Sequence, residues 1–226
     1  MPNENPGACE PMLMLREITH RVCNEYSSAI AALSLAAAQS TSSDAKAVLS
    51  AAADRLFAFA NVHRALQMPA EDDAADLADH LRAVCRALLR SHLDDRGIRL
   101  ELAEERVELT PEQCWTVGLV VSELITNAAK HAFAERGGCI RVEIRRAGGH
   151  IRCSVMDDGE AATGPRPGHG TQIVDGLAAR LGGRVCRVFS AGGSRISLIF
   201  PDGRYGIGGR GETPATRPLE ADPGTV

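Results

Sequence analysis

The 226-residue chain has no apolar run close to the about eighteen residues needed to cross a bilayer, so no direct membrane insertion is expected. Residues 1–11 are polar and lack the apolar region of a secretory signal. There is no C-x-x-C pair. The seven cysteines (Cys9, Cys23, Cys85, Cys114, Cys139, Cys153 and Cys186) are odd in number and scattered, which argues against a zinc site and a disulfide framework. They read as small core residues in a reducing cytoplasm, the expected location. Charge of one sign is not in large excess either: 25 basic against 29 acidic residues leave a net charge of −4. Without a strong basic field, nucleic acid is not an expected partner.

Glycine and proline are also missing from two early stretches, and what remains there is helical. Residues 12–40 are dense in alanine and leucine, with Leu15, Ile18, Val22, Ala29, Leu33 and Ala36 at helical spacing. Thr41-Ser42-Ser43 breaks the pattern and Asp44 suits the N-cap of a second helix. That helix is expected to run to about Gln67, with Ala45, Val48, Leu49, Ala52, Leu56, Phe59, Ala60 and His63 on its inner side. Two long apolar-striped helices joined by a short turn form a helical hairpin over 12–68. Alone it buries little, so a homodimer through a four-helix bundle is expected.

An acidic linker over 69–75 leads to a third helix from Leu77 to near Leu93. Strand patterns follow over 98–102, 107–109, 140–145, 151–156, 184–189 and 195–200, with a helix over 171–181 closed by Gly182-Gly183. The second half, 76–201, therefore reads as an α+β sandwich with helices on one face of a mixed sheet. Residues 202–226 read as a disordered tail.

The stretch around which this half is organised is Glu123-Leu124-Ile125-Thr126-Asn127-Ala128-Ala129-Lys130-His131. Pro111 and Glu112 suit a first helical turn, where proline needs no amide partner and an acid meets the positive helix end. Val117, Val120, Val121, Leu124, Ile125 and Ala128 make one apolar stripe. Glu123, Asn127, Lys130 and His131 share a second, polar face. An acid to orient water, an amide oxygen to ligate Mg²⁺ and cations to meet phosphate oxygens suit a metal–phosphate group.

Two glycine-bearing pieces complete the pattern. Asp157-Asp158-Gly159 ends a strand, and Gly168-His169-Gly170-Thr171 opens a helix. Glycines at a helix start let backbone amides approach a phosphate, and a carboxylate at a buried strand end can accept a hydrogen bond from an adenine amino group.

Glu123-x-x-x-Asn127-Ala-x-Lys130-His131, then Asp157-x-Gly159, then Gly168-x-Gly170, resembles the GHKL-type ATP-binding domain of sensor histidine kinases. Leu15-Arg16-Glu17-x-x-His20-Arg21-Val22-x-Asn24 resembles the phosphoacceptor helix of the HisKA_2 subfamily, relatives of the HWE kinases. The resemblance spans roughly 12–200 and implies ATP and Mg²⁺ as cofactors and a response regulator receiver domain as partner. It implies His20 as phosphoacceptor, with Glu17 orienting the ring and Asn24 on the same exposed face. Asn127 would ligate Mg²⁺, Glu123 would polarise water or the nucleophile, and Lys130 and His131 would contact phosphates. Asp157 would bind the adenine amino group beside Gly159, while Gly168, Gly170 and Thr171 would shape the phosphate lid. The chain departs from the family at Ala161, where a second glycine stands, and in a short lid of six residues between Ala161 and Gly168. No sensor domain is recognisable, so a signal is expected from a partner, the tail or a ligand. A histidine autokinase is the leading expectation. A phosphotransfer protein with a degenerate ATP-binding domain and a non-catalytic regulator-binding module remain open at this stage.

Overall fold

The computed structural model describes residues 9–69, 74–133, 136–160 and 169–203. Of the disordered ends expected at 1–11 and 202–226, residues 1–8 and 204–226 lie outside these residues, as do the linker centre and the lid region with Ala161 and Gly168. The chain opens with α1 (Cys9–Gln39), which starts earlier than residue 12. Pro11 falls in its first turn, where the missing amide has no carbonyl to meet. The second helix, α2 (Ser43–Ala65), is capped by Ser42 rather than Asp44. The Ser42 hydroxyl accepts the Ala45 N–H at 3.4 Å, and Asp44 lies in the first turn, facing the positive end of the helix.

The two helices pack along one another as the expected hairpin. Their seam, however, buries Cys23, Ala37, Ala53 and Ala60. Val48 is 69% exposed, and Phe57, Phe59 and Leu35 are also exposed, so the expected inner side of α2 is only partly inward. Alanine is so frequent here that apolar spacing fits more than one face. The far end of α2 packs Val62, Ala65 and Leu66 against the core of the second half.

In that second half, β1 (Ala75–Asp76) pairs antiparallel with β3 (Glu108–Leu109), a short ladder of which only β3 was legible. The Asp76 carboxylate caps α3 (Leu77–Leu88) by accepting the Ala78 N–H at 2.9 Å. Beyond Leu88 the chain widens into a π-turn, Leu89–Leu93, and tightens into a 3₁₀ turn, Asp94–Arg96. Gly97 stops it at φ +63°. The five-stranded sheet runs β2 (Ile98–Ala103), β4 (Gly138–Ala147), β5 (His150–Asp157), β7 (Gly193–Pro201), β6 (Arg184–Ser190). Among the described residues, only the β2–β4 pair is parallel. The helices α3, α4 (Pro111–His131) and α5 (His169–Arg180) cover one face, over Ile140, Val142, Ile144, Cys153, Val155, Leu198 and Phe200.

After α5 the Gly182 N–H donates to the Ala179 carbonyl and the Gly183 N–H to that of Ala178, both at 2.9 Å, which ends the helix as expected. Order persists past the expected tail boundary. Asp202 is buried, donates its N–H to the Gly149 carbonyl and pairs its carboxylate with Arg146 at 3.0 Å.

Of the cysteines expected in the core, Cys23, Cys85, Cys114 and Cys153 are buried, Cys139 is half-buried and Cys186 is exposed. Burial pushes the thiols of Cys85 and Cys153 up to about 12, so both stay protonated and unreactive at neutral pH. Peptide mapping after brief maleimide treatment of the native protein is therefore expected to show Cys186 modified while Cys85, Cys114 and Cys153 react only after denaturation. Native-state labelling of Cys153 would contradict this packing.

Candidate nucleotide-binding site

The helix that carries the site begins with a capping box. The Thr110 hydroxyl accepts the Gln113 N–H and the Gln113 side-chain oxygen accepts the Thr110 N–H, each at 3.2 Å. Pro111 and Glu112 occupy the first turn as expected. Val117, Val120, Val121, Leu124 and Ile125 are buried against the sheet and α3. Burying each of these side chains stabilises the fold by about 1.5–3 kcal/mol, which fixes the rotation of α4 about its axis. The opposite face must then present Glu123 and Asn127, and both are half-buried.

These two side chains are joined. The Asn127 Nδ2 donates to the Glu123 Oε1 at 3.1 Å, which leaves the Asn127 side-chain oxygen free of that bond and available to a cation. The first turn of α5 backs directly onto them. A Cβ built on Gly170 would lie 2.2 Å from the Glu123 Oε1 and 3.4 Å from the Asn127 Nδ2, so any side chain at 170 would displace the Glu123 carboxylate from its present position. Thr171 is half-buried in the same turn. Lys130 and His131, one turn beyond Asn127, are exposed.

The second part of the site is the end of β5. One oxygen of Asp157, Oδ1, accepts the N–H groups of Gly159 at 3.1 Å and Ser194 at 3.3 Å. The other, Oδ2, accepts the Ser194 hydroxyl at 2.5 Å. Gly159 is buried against the end of α4, where a Cβ would come within 2.3 Å of the Ala132 carbonyl oxygen. The Glu160 N–H donates to that same oxygen at 3.0 Å. The strand end and the polar helix face are thus held against each other by backbone contact.

Ser194 was not among the residues anticipated. Only its setting was legible, just after Gly192-Gly193 near the start of a strand; its pairing with Asp157 was not. Gly193 lies at φ +126°, with its would-be Cβ 1.9 Å from the Asp157 carbonyl oxygen. The hairpin residues stand apart from this cluster, on a helix whose main packing partner is α2. Glu17 is exposed and ion-paired with Arg21 at 2.8 Å, and Asn24 is exposed one turn beyond His20. His20 is helical, and its side chain lies outside the described set.

Comparison with known proteins agrees with this two-part layout. The HisKA_2 histidine kinase family matches residues 17–92 and the histidine kinase-like ATPase domain matches residues 74–184, in that order. The chain belongs to the histidine kinases. Similar members of the family include blue-light-activated histidine kinase 2 of Erythrobacter litoralis, 26% identical over 213 residues, with 88% of this chain and 60% of that protein covered. Another is the sensor histidine kinase PdtaS of Mycolicibacterium smegmatis, 27% identical over 205 residues, covering 86% of this chain and 40% of the relative. The chain therefore spans about 40–60% of the length of these relatives. The histidine kinase domain of the Erythrobacter litoralis EL346 blue-light activated histidine kinase shares the fold at a TM-score of 0.55 and 21% identity, with 80% of this chain and 97% of that one covered. A second structure of EL346 aligns at a TM-score of 0.54 and 26% identity, over 67% of this chain and 55% of that one.

The tight approach at Gly193 makes a test. Gly193→Ala meets backbone rather than a movable side chain and is expected to cost about 3 kcal/mol in chemical denaturation. Gly192→Ala, with nothing within 4 Å of its Cβ, is expected to be near neutral. Equal stability of the two variants would contradict the contact between Gly193 and Asp157.

Proposed function

We propose that the chain is an ATP-dependent protein-histidine kinase that phosphorylates itself at His20 and passes the phosphoryl group to an aspartate of a response regulator receiver domain. The observation that carries this reading is the cluster of Glu123, Asn127 and Gly170 set against Asp157 and Ser194. It offers an acid–amide pair and a glycine-led helix start at one end and a hydrogen-bonded carboxylate at the other. Asp157 and Ser194 recognise the adenine edge, while the N-terminus of α5 with Lys130 and His131 meets the phosphates.

The donor set of Glu123 and the Asn127 amide oxygen, hard oxygens beside a helix start, fits Mg²⁺. Asn127 would hold such an ion, which would supply charge neutralisation to the nucleotide's phosphates. Glu123 keeps the Asn127 amide in the orientation that presents its oxygen. A ring nitrogen of neutral His20 attacks the γ-phosphorus, the bond to the β–γ bridging oxygen breaks, and ADP leaves with that electron pair. Glu17, one turn before His20, orients the imidazole, and Asn24, one turn after, lines the same face. Nothing in this transfer needs covalent help beyond the nucleophile, so positioning carries most of the rate.

Because His20 lies on the hairpin and the nucleotide on the second half, the hairpin also serves as the assembly element. Leu35, Val48, Phe57 and Phe59 leave apolar surface exposed on it, which supports burial against a second copy in a four-helix bundle. A relay protein of the same architecture, in which His20 only receives phosphate from a regulator, is the second reading. Its support is Ala161 at the position of the family's second glycine.

Incubation with γ-labelled ATP and Mg²⁺ separates them. The native chain is expected to take up acid-labile, base-stable label, and His20→Ala none. Asn127→Ala is expected to slow labelling by about two orders of magnitude, and Ser194→Ala to raise the KM for ATP about tenfold. Absence of label from ATP together with label gained from a phosphorylated regulator would make the relay reading correct.

A further inference from the structure

We infer that Asp158 is a positioning residue for nucleotide binding: its side chain locks the end of β5 to the start of β4 and so holds the Asp157 carboxylate at its working distance from α4. This rests on the nucleotide reading of the site. Asp158 is exposed and its side chain points away from the Asp157–Ser194 hydrogen bonds, so it has no direct part in them. Instead its Oδ1 accepts the Cys139 N–H at 2.7 Å while its own N–H donates to the Cys139 carbonyl at 3.2 Å. This reciprocal pair continues the β4–β5 ladder one residue beyond Ile140 and Asp157, with a side-chain oxygen replacing the next backbone carbonyl. The packing is shaped around that oxygen. A Cβ on Gly138 would come within 2.7 Å of the Asp158 Oδ1 and 2.1 Å of the Phe133 ring, so glycine at 138 leaves room for both.

The consequence runs in both directions along the chain. Before Asp158 stands the carboxylate that meets adenine. After it, Gly159 and Glu160 pack on Ala132, just beyond the turn that carries Lys130 and His131. Removing the Asp158 side chain would leave its backbone N–H to the Cys139 carbonyl as the one remaining tie beyond the Ile140–Asp157 pair, loosening the strand end on which that carboxylate stands. Loss of one such hydrogen bond corresponds to about a tenfold change in an equilibrium constant.

The test uses the full chain and a fluorescent trinitrophenyl-ATP probe, with ATP kinetics alongside. Asp158→Ala is expected to weaken probe binding and raise the KM for ATP by about tenfold, with kcat at saturating ATP changed less than about twofold. Asp158→Asn, which keeps an oxygen able to accept the Cys139 N–H but removes the charge, is expected to bind within about twofold of the native chain. Thermal midpoints of both variants are expected to stay within about 4 °C of the native value. Native-like binding by Asp158→Ala, or equal weakness of both variants, overturns the positioning role. A collapse of the midpoint in Asp158→Ala also overturns it, in favour of a folding role. Failure of the native chain itself to bind the probe overturns the nucleotide reading, and the role of Asp158 with it.

Discussion

The structure depends on how α4 is buried. Five of its side chains, Val117, Val120, Val121, Leu124 and Ile125, are almost wholly excluded from water between the sheet and α3. Turning the helix by one residue, about 100°, would expose several of them at 1.5–3 kcal/mol each. No interaction on the polar face approaches that sum. The Glu123–Asn127 bond contributes on the order of 1 kcal/mol. The core thus decides where the polar face points, and the polar face is free to be composed for chemistry rather than for stability.

Two glycine contacts turn that orientation into a site. Gly170 brings the first turn of α5 against Glu123 and Asn127, and Gly159 brings the end of β5 against Ala132. In each case a methyl group would stand between the backbone of one element and the functional face of the next. The sheet supplies the rest through register. Asp157 and Ser194 are paired residues on β5 and β7, so their hydrogen bonds follow from the strand pairing itself. Close packing makes such an arrangement discrete, with the carboxylate held by three donors around two oxygens.

The hairpin follows a different logic. It buries few large side chains within the single chain, and its seam rests on small residues such as Ala37, Ala53 and Ala60. Exposed Val48 and Phe57 show that its apolar content exceeds what two helices can enclose. That surplus explains why periodicity located both helices but assigned the inner face of α2 imperfectly. The pattern for burial against α1 and the pattern left exposed overlap on an alanine-rich helix.

Sequence alone was sufficient where one local cause dominates. The start of α4 was legible because proline, acid and a helical stripe agree, and Glu123, Asn127, Asp157 and Gly170 were legible because side-chain type and order are written in the chain. The cap of α2 was misread by two residues because Ser42, Ser43 and Asp44 are all competent caps, and only the path of the turn selects among them. Ser194 and the ladder of β1 with β3 lay beyond local reading, since each gains its role from a strand distant in the chain. So does Asp202, whose buried carboxylate meets Arg146 across the sheet. Local chemistry determined which groups this protein has and which elements carry them. Strand register, and the close approaches that glycine permits, decided which of those groups meet, because only the folded core specifies distances between segments far apart in sequence.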